Sequence, residues 1–318
     1  MTGSADTRES LQTGDSMRDV LRSVVNGIRR SPALNSMARA CVRAIPDRRH
    51  ITNMKDIGPV AIRLRRHRYL LWEHPLIHDA FMVSLFARLI RKDDVVYDIG
   101  ANIGLYTRLM RQWFGASYIY AFEPMAENRE LLEENIRLGN MGGVCEISPL
   151  ALSDAPGKEE LQIDDMNSGS AVLNSISGGE ASSGRAHFGL PPKTETVELE
   201  TLDAFAKRPG VRPPGMMKID TEGAEVKILI GGRETIRAHK PRMAIALHGK
   251  DKARGTLEQL EILECPAYGV VREEGVMKYR RLAVADFDRL GNNNILAAYD
   301  ETLLREEPKP LAAAPRNR

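Results

Sequence analysis

Two short stretches of this 318-residue chain gather side chains able to do chemistry. The first is Asp98-Ile99-Gly100-Ala101-Asn102-Ile103-Gly104, which continues the apolar run Val95 to Tyr97 and leads into a helical pattern. A buried strand running into a glycine turn and then a helix is the geometry of a nucleotide-type site at the carboxyl edge of a sheet. Gly100 lets the backbone turn sharply and approach a ligand, and Gly104 lets the following helix pack closely. A dinucleotide site requires GxGxxG, whose second glycine admits a pyrophosphate. Here that position is Asn102 and the pattern is DxGxxxG. S-adenosylmethionine has no pyrophosphate, and its cationic amino-acid portion suits the carboxylate of Asp98. Nineteen residues past Gly104, Glu123 ends the run Tyr118 to Phe122. That is the position where an acidic side chain accepts hydrogen bonds from both ribose hydroxyls. A third run ends in Ser153-Asp154, either of which would accept from the exocyclic amine of adenine. Asp154, followed by Ala155-Pro156-Gly157, reads equally well as a turn former.

The second stretch is Lys218-Ile219-Asp220-Thr221-Glu222-Gly223-Ala224-Glu225. Met216 to Ile219 reads as a buried strand, so the lysine and the carboxylates emerge on the same edge as the glycine turn. Charges concentrated at a strand exit are costly unless solvated, paired or functional. Glu225 has a simpler reading, as an acidic residue in the first turn of a helix over Glu225 to Arg237. The next strand ends in His248, whose ordinary pKa suits proton removal near neutrality. Asp220 or His248 is the candidate base, with Lys218 and Glu222 as the side chains that would position an acceptor. The spacing carries no metal signature, and no metal is predicted.

Elements must hold these residues together. Apolar runs at Val95 to Ile99, Tyr118 to Phe122, Val144 to Ile147, Met216 to Ile219 and Met243 to Leu247 alternate with helical patterns. The helical stretches lie near Leu105 to Trp113, Glu127 to Leu138, Glu225 to Arg237 and Lys252 to Glu264. This alternation predicts an α/β fold, a Rossmann-like doubly wound and mainly parallel sheet over residues 93–300. A polar, glycine- and serine-rich segment, Asp164 to Pro192, exceeds the usual connection of about 4 to 6 residues and is either a lid over the ligand edge or surface filler. Residues 1–16 and the Pro- and Ala-rich 301–318 read as flexible ends. Between them, 17–92 reads as a basic helical extension. Val20, Leu21, Val24, Val25 and Ile28 recur at helical spacing, and a second helical stretch starts at Ser31-Pro32. Val60, Ile62 and Leu64 follow as a half-exposed strand and His74 to Ile90 as a helix.

With those elements in place, the chain resembles the FkbM-type S-adenosylmethionine-dependent methyltransferases over about residues 93–250. The matching segments are VVYDIGANIGLYTRLM, YAFEPMAENRELLEENIRL, PLALSD, VELETLDAF and MKIDTEGAEVKILIGG. The KxDxEGxE of Lys218 to Glu225 is the most specific of them. The resemblance implies methyl transfer with S-adenosylmethionine as cofactor, usually to oxygen, on a sugar, a glycolipid or a small biosynthetic intermediate. One departure stands out: where many relatives carry a glutamate five residues after the proline that is Pro241 here, this chain has Ala246, and His248-Gly249-Lys250-Asp251 follows.

Composition sets the outer limits. With 45 Lys and Arg against 43 Asp and Glu and 42% hydrophobic residues, the chain is of ordinary globular type. No apolar run approaches the ~20 residues of a membrane-spanning helix, and arginines interrupt any secretory pattern, so a cytoplasmic location is expected. Cys41, Cys145 and Cys265 show neither disulfide nor metal spacing. The balanced total hides an asymmetry: residues 1–92 hold 17 basic against 8 acidic residues, and 93–318 hold 28 against 35. The basic front suits a peripheral membrane or a partner contact, or simply a solvated face. A small-molecule or glycan acceptor is expected. Nucleic acid is not, despite Arg63, Arg65, Arg66 and Arg68, because no base-flipping motif stands at a strand end. The rivals are a nicotinamide-dependent oxidoreductase, opposed by Asn102, and a non-catalytic methyltransferase-like binding module. Nothing in the sequence fixes an oligomeric state.

Overall fold

A computed structural model describes residues 32–71, 79–166, 171–180, 183–309 and 311. The described residues fall into two compact units, divided between Arg48 and Arg49. In the first, the expected restart at Pro32 is a helix, α1 (Pro32–Ala44). The pattern over Val20 to Ile28 lies outside the described residues.

The second unit opens with a hairpin, β1 (Arg49–Met54) paired antiparallel with β2 (Gly58–Arg63), followed by α2 (Ala80–Leu89). Then come β3 (Val95–Ile99), α3 (Leu105–Gln112), β4 (Tyr118–Phe122), α4 (Ala126–Leu138), β5 (Cys145–Ser148), β6 (Ala151–Ser153), β7 (Gly157–Gln162) and β8 (Val172–Leu173). Short helices α5 (Asn174–Ser177) and α6 (Ser183–His187) precede β9 (Thr194–Thr201) and α7 (Leu202–Ala206). The chain continues through β10 (Met216–Ile219), α8 (Glu225–Gly231), α9 (Arg233–His239), β11 (Arg242–Ala246), α10 (Lys250–Ile262), β12 (Ala267–Glu273), β13 (Val276–Arg281) and β14 (Asn294–Ala297).

Eight strands form the main sheet in the order β13-β12-β14-β11-β10-β3-β4-β5. The five from β5 to β11 are parallel, and beyond them β14, β12 and β13 are each paired antiparallel with their neighbours. The sheet is therefore mixed, a correction to the mainly parallel expectation: α10 carries the chain across to β12, which turns back as a hairpin into β13, and β14 then inserts between β12 and β11 antiparallel to both. Strand alternation sorts its side chains. Tyr97, Ile99, Phe122, Met217, Ile219 and Ile245 face one core, while Val96, Ile119, Ala121, Met216 and Ala244 face the other. Helices cover both faces, which is why these runs are apolar throughout.

Several boundaries move. β2 is not half-exposed: Val60, Ala61 and Ile62 are all fully buried. The side chain of Asn135 in α4 brackets Ala61, accepting from its N–H (2.7 Å) and donating to its C=O (3.0 Å). Arg108 in α3, itself 1% exposed, donates to the carbonyls of Ile57 (2.6 Å) and Pro59. The hairpin is thus part of the same compact unit as the sheet, and the unit boundary falls at Arg48, not at 92. The end over 301–318 is not wholly loose: Leu304 is buried, and Arg88 Nε and Tyr279 Oη donate to the carbonyls of Leu303 and Leu304. The helix expected over Glu225 to Arg237 breaks at Gly232 into α8 and α9. The polar segment after Asp164 belongs to a second sheet, β6-β9-β7-β8, that the sequence reading did not anticipate. No described helix is long and apolar enough to cross a membrane.

Candidate active site

The carboxyl ends of β3, β4, β10 and β11 open on a cavity of about 460 Å³. The glycine turn forms its floor. Gly100 has φ +78°, and a Cβ there would stand 1.9 Å from the Asp220 carbonyl oxygen, so only glycine lets β3 and β10 close to this distance. Gly104 is off the cavity wall; a Cβ on it would meet Leu132 Cδ1 at 2.3 Å, and its role is the close packing of α3 on α4.

Glu123 sits at the end of β4, buried and on the cavity wall. Its Oε2 accepts from the Asn102 N–H (2.8 Å) and its Oε1 from the Met125 N–H (3.0 Å). Asn128 Nδ2 lies 3.4 Å from the same Oε1. Burial pushes this carboxyl above its ordinary range, offset in part by those three donors. Glu123 and the glycine turn are held in one hydrogen-bonded unit. Leu150, Ala151 and Leu152 supply an apolar wall beside it. Ser153 and Asp154 do not reach the cavity. Ser153 is buried against α8, where a Cβ on Gly231 would strike its carbonyl at 2.1 Å, and Asp154 is exposed.

Asp98 is likewise not on the wall. It is fully buried behind the turn, accepting from Thr107 Oγ1 (2.6 Å) and paired with Lys218 Nζ (3.1 Å). Lys218 reaches under the turn to donate to the Gly100 carbonyl at 2.6 Å and lies 3.8 Å from Asp220. Burial works against its charge, but Asp98 and Asp220 outweigh that and hold it above the ordinary lysine range. The geometry gives both residues to the support of the turn. Asp98 faces the lysine from behind the turn, and Lys218, which does line the cavity, is paired with both carboxylates.

Asp220, Glu222 and His248 do converge on the cavity. His248 Nε2 lies 3.5 Å from Asp220 Oδ1 and 3.8 Å from Glu222 Oε2, and its Nδ1 is 2.9 Å from Glu225 Oε1. Burial alone would lower the imidazole pKa, but the Glu225 hydrogen bond and the charges of Asp220 and Glu222 raise it to about 9. This direction favours the imidazolium at neutral pH, whereas the sequence suggests a base poised near neutrality. Glu225 does more than occupy a first helical turn. Fully buried, it also accepts from the N–H groups of Thr221 and Gly223, so it fixes both the Glu222 turn and the histidine. Glu222 holds φ +56°, and burial raises its carboxyl pKa. Among the described residues no group of three or more His, Cys, Asp or Glu is arranged to hold a metal ion.

The remaining walls come from segments with no signature in the sequence. Asp79, the N-cap of α2, accepts from Tyr106 Oη (2.9 Å) and Asn294 Nδ2 (3.1 Å) at the cavity's edge. His67, Leu70, Asn293 and, from the polar segment, Ala171 and Leu173 complete the lining. That segment packs on the signature turn, since a Cβ on Gly223 would meet Ile176 Cγ2 at 3.0 Å. Arg66 pairs with Glu127, and Arg68 donates to the Met166 carbonyl at 3.1 Å, so both are engaged within the fold.

The residues present fit S-adenosylmethionine: a turn only glycine can make, a carboxylate at the ribose position, an apolar adenine wall and a cavity within the usual ~300–1,000 Å³ for such ligands. Comparison with known proteins agrees. A family model described as the Methyltransferase FkbM domain matches residues 98–271, more than half of the chain. The chain is 25% identical over 203 residues to the 31-O-demethyl-FK506 methyltransferase FkbM of Streptomyces tacrolimicus, covering 58% of this chain and 76% of that one. It is also 25% identical over 199 residues to the AMB antimetabolite synthetase AmbE of Pseudomonas aeruginosa, covering 54% of this chain but only 9% of that much longer protein. A methyltransferase FkbM structure from Methylobacillus flagellatus aligns with TM-score 0.40 at 16% identity, over 73% of this chain and 52% of that one. The chain belongs to the FkbM family of S-adenosylmethionine-dependent methyltransferases.

Proposed function

We propose that this protein methylates a hydroxyl oxygen on a sugar, a glycolipid or a small biosynthetic intermediate, with Asp220 as the base. The observation that carries this reading is the placement of Asp220 on the cavity wall at the exit of β10, against the Gly100 turn and beside His248. The relative from Streptomyces tacrolimicus, whose name specifies a 31-O-demethyl substrate, supports an oxygen acceptor.

When bound, S-adenosylmethionine would supply an electrophilic methyl carbon, with S-adenosylhomocysteine as the neutral thioether leaving group as the C–O bond to the acceptor oxygen forms and the C–S bond breaks. The chain's part is to hold that oxygen in line and take its proton, and positioning alone accounts for much of such catalysis. His248, protonated and facing carboxylates through both ring nitrogens, has no lone pair to offer as the first acceptor. Asp220 accepts the hydroxyl proton, and the imidazolium beside it fixes its orientation. Glu222 is placed to accept a hydrogen bond from a second acceptor hydroxyl. Glu123 receives the ribose, and Gly100, Asn102 and Leu150 to Leu152 shape the rest of the cofactor bed.

A screen with methyl-labelled S-adenosylmethionine against neutral glycosides, glycolipids and small hydroxylated compounds identifies the acceptor. On it, Asp220→Asn is expected to lose about 10² to 10⁴ in kcat, the usual worth of a general base. Its affinity for S-adenosylhomocysteine should stay within a few fold of wild type. Unchanged turnover in that variant removes Asp220 from the mechanism.

A further inference from the structure

His67 lies outside the family-matched residues 98–271, yet borders the cavity. Its ring is 1% exposed. Nδ1 accepts from the Arg63 N–H at 3.0 Å, which places the ring proton on Nε2. Burial and the neighbouring Arg66 charge lower its pKa to about 3, so the neutral tautomer persists throughout the physiological range. Nε2 is shielded from solvent and has no hydrogen-bond partner. Buried donors are nearly always satisfied, and one left unpaired at the edge of a ligand cavity marks a place where the ligand supplies the acceptor.

The loop carrying His67 is held in place. Arg66 pairs with Glu127 in the first turn of α4, and Arg68 donates to the Met166 carbonyl. His67 thereby lines the same cavity as Asn128 and Glu123, and the Arg66–Glu127 pair ties its loop to the start of α4 next to Asn128. The charges on the wall decide which cofactor oxygen it meets. The ribose hydroxyls are donors and face the Glu123 carboxylate. The methionyl carboxylate needs donors away from Asp79, Glu123, Asp220 and Glu222, and the wall cations Lys218 and His248 are already engaged with carboxylates. Arg63 and Arg66 do not line the cavity and Arg66 is paired with Glu127, so the His67 Nε2 hydrogen is the donor that this part of the wall has left for an anion.

We propose that His67 donates its Nε2 hydrogen to the methionyl carboxylate of S-adenosylmethionine, making it a cofactor-binding residue contributed from outside the family-matched region. This rests on the reading that the cavity binds that cofactor.

The test is calorimetric titration of the full chain with S-adenosylhomocysteine and with 5′-methylthioadenosine, which lacks the amino-acid carboxylate. His67→Asn keeps an acceptor for Arg63 N–H but removes the Nε2 donor, and His67→Gln restores a donor near the Nε2 position. The expected result for His67→Asn is roughly tenfold weaker binding of S-adenosylhomocysteine, the worth of one hydrogen bond to a charged group. Binding of 5′-methylthioadenosine should be unchanged, and His67→Gln should recover most of the loss. Equal affinity of wild type and His67→Asn for S-adenosylhomocysteine overturns the proposal, as do equal losses for both ligands. Wild type that binds neither ligand overturns the cofactor reading beneath it as well. If His67→Asn does not fold, His67→Phe, which also lacks the donor, takes its place in the same comparison, and wild-type affinity for S-adenosylhomocysteine or equal losses for both ligands overturns the proposal.

Discussion

Lys218 shows how a signature residue is spent on structure. Its ammonium is enclosed by Asp98, the Gly100 carbonyl and Asp220, and removing it leaves Asp98 buried and unpaired. Lys218→Met is expected to cost about 3–5 kcal/mol in urea denaturation, the usual penalty for breaking a buried pair from one side. A double variant that also carries Asp98→Asn should recover part of it. His248 gives a second prediction. Its folded pKa, about 9, is raised above the ordinary 6.5, so its ion pairs stabilise the fold fully below pH 6.5. That contribution is lost as pH rises from 6.5 through 9, and at most about 3 kcal/mol is at stake. Thermal melting midpoints should fall across this window for wild type and fall less for His248→Gln. An equal decline in both would show that the histidine does not carry the raised pKa. The sequence made Asp220, Glu222 and His248 legible as neighbours because they leave adjacent strands at the same edge. The histidine's charge state was not legible, because it depends on three carboxylates closing round one ring after the Gly223 turn. The Asp98–Lys218 pair was not legible for a related reason: spacing places a carboxylate before the turn but does not show the lysine from β10 beside it.

The elements read from periodicity survive where both faces of a strand are buried, as in β3, β4, β10 and β11. They fail where the partner is distant or polar. β1, Arg49-His50-Ile51-Thr52-Asn53-Met54, is largely exposed and has no apolar alternation to announce it. Its partner β2 is buried on both faces because α3 and α4 pack on it, so a small alanine sits where alternation put a solvent-facing residue. The second sheet is invisible for the same reason, since β9 closes it from about forty residues beyond β6. The helix after the signature breaks at Gly231-Gly232 because β6 approaches so closely that a Cβ on Gly231 would overlap the Ser153 carbonyl. Arg108 tests how the hairpin is held. Arg108→Ala leaves the Ile57 and Pro59 carbonyls without their donor and should cost about 3 kcal/mol, the upper range for hydrogen bonds from a charged group. The amides of β1 and β2 should then exchange hydrogen faster than those of β3 and β10. Uniform acceleration across the whole unit would contradict a local clamp.

At the scale of the molecule, the basic front and acidic body of the sequence do not divide where the charge count suggested. Residues 49–71 and α2 fold with the sheet, and several of their arginines are engaged by glutamates or carbonyls of the same unit. The family-matched residues 98–271 hold the glycine turn, Glu123 and the signature, while flanking residues such as His67, Asp79, Asn293 and Asn294 build other parts of the wall. Acceptor choice is therefore expected to lie with those flanks and with the segment around Ala171 and Leu173, where no motif is readable. The central claim, that the glycine turn and Glu123 form a bed for S-adenosylmethionine and not for a dinucleotide, has a direct test that needs no acceptor. Calorimetric titration of the wild-type chain with S-adenosylmethionine and with NAD should give saturable one-to-one binding of the first and no heat of binding for the second. Binding of NAD, or an absence of S-adenosylmethionine binding, would contradict it.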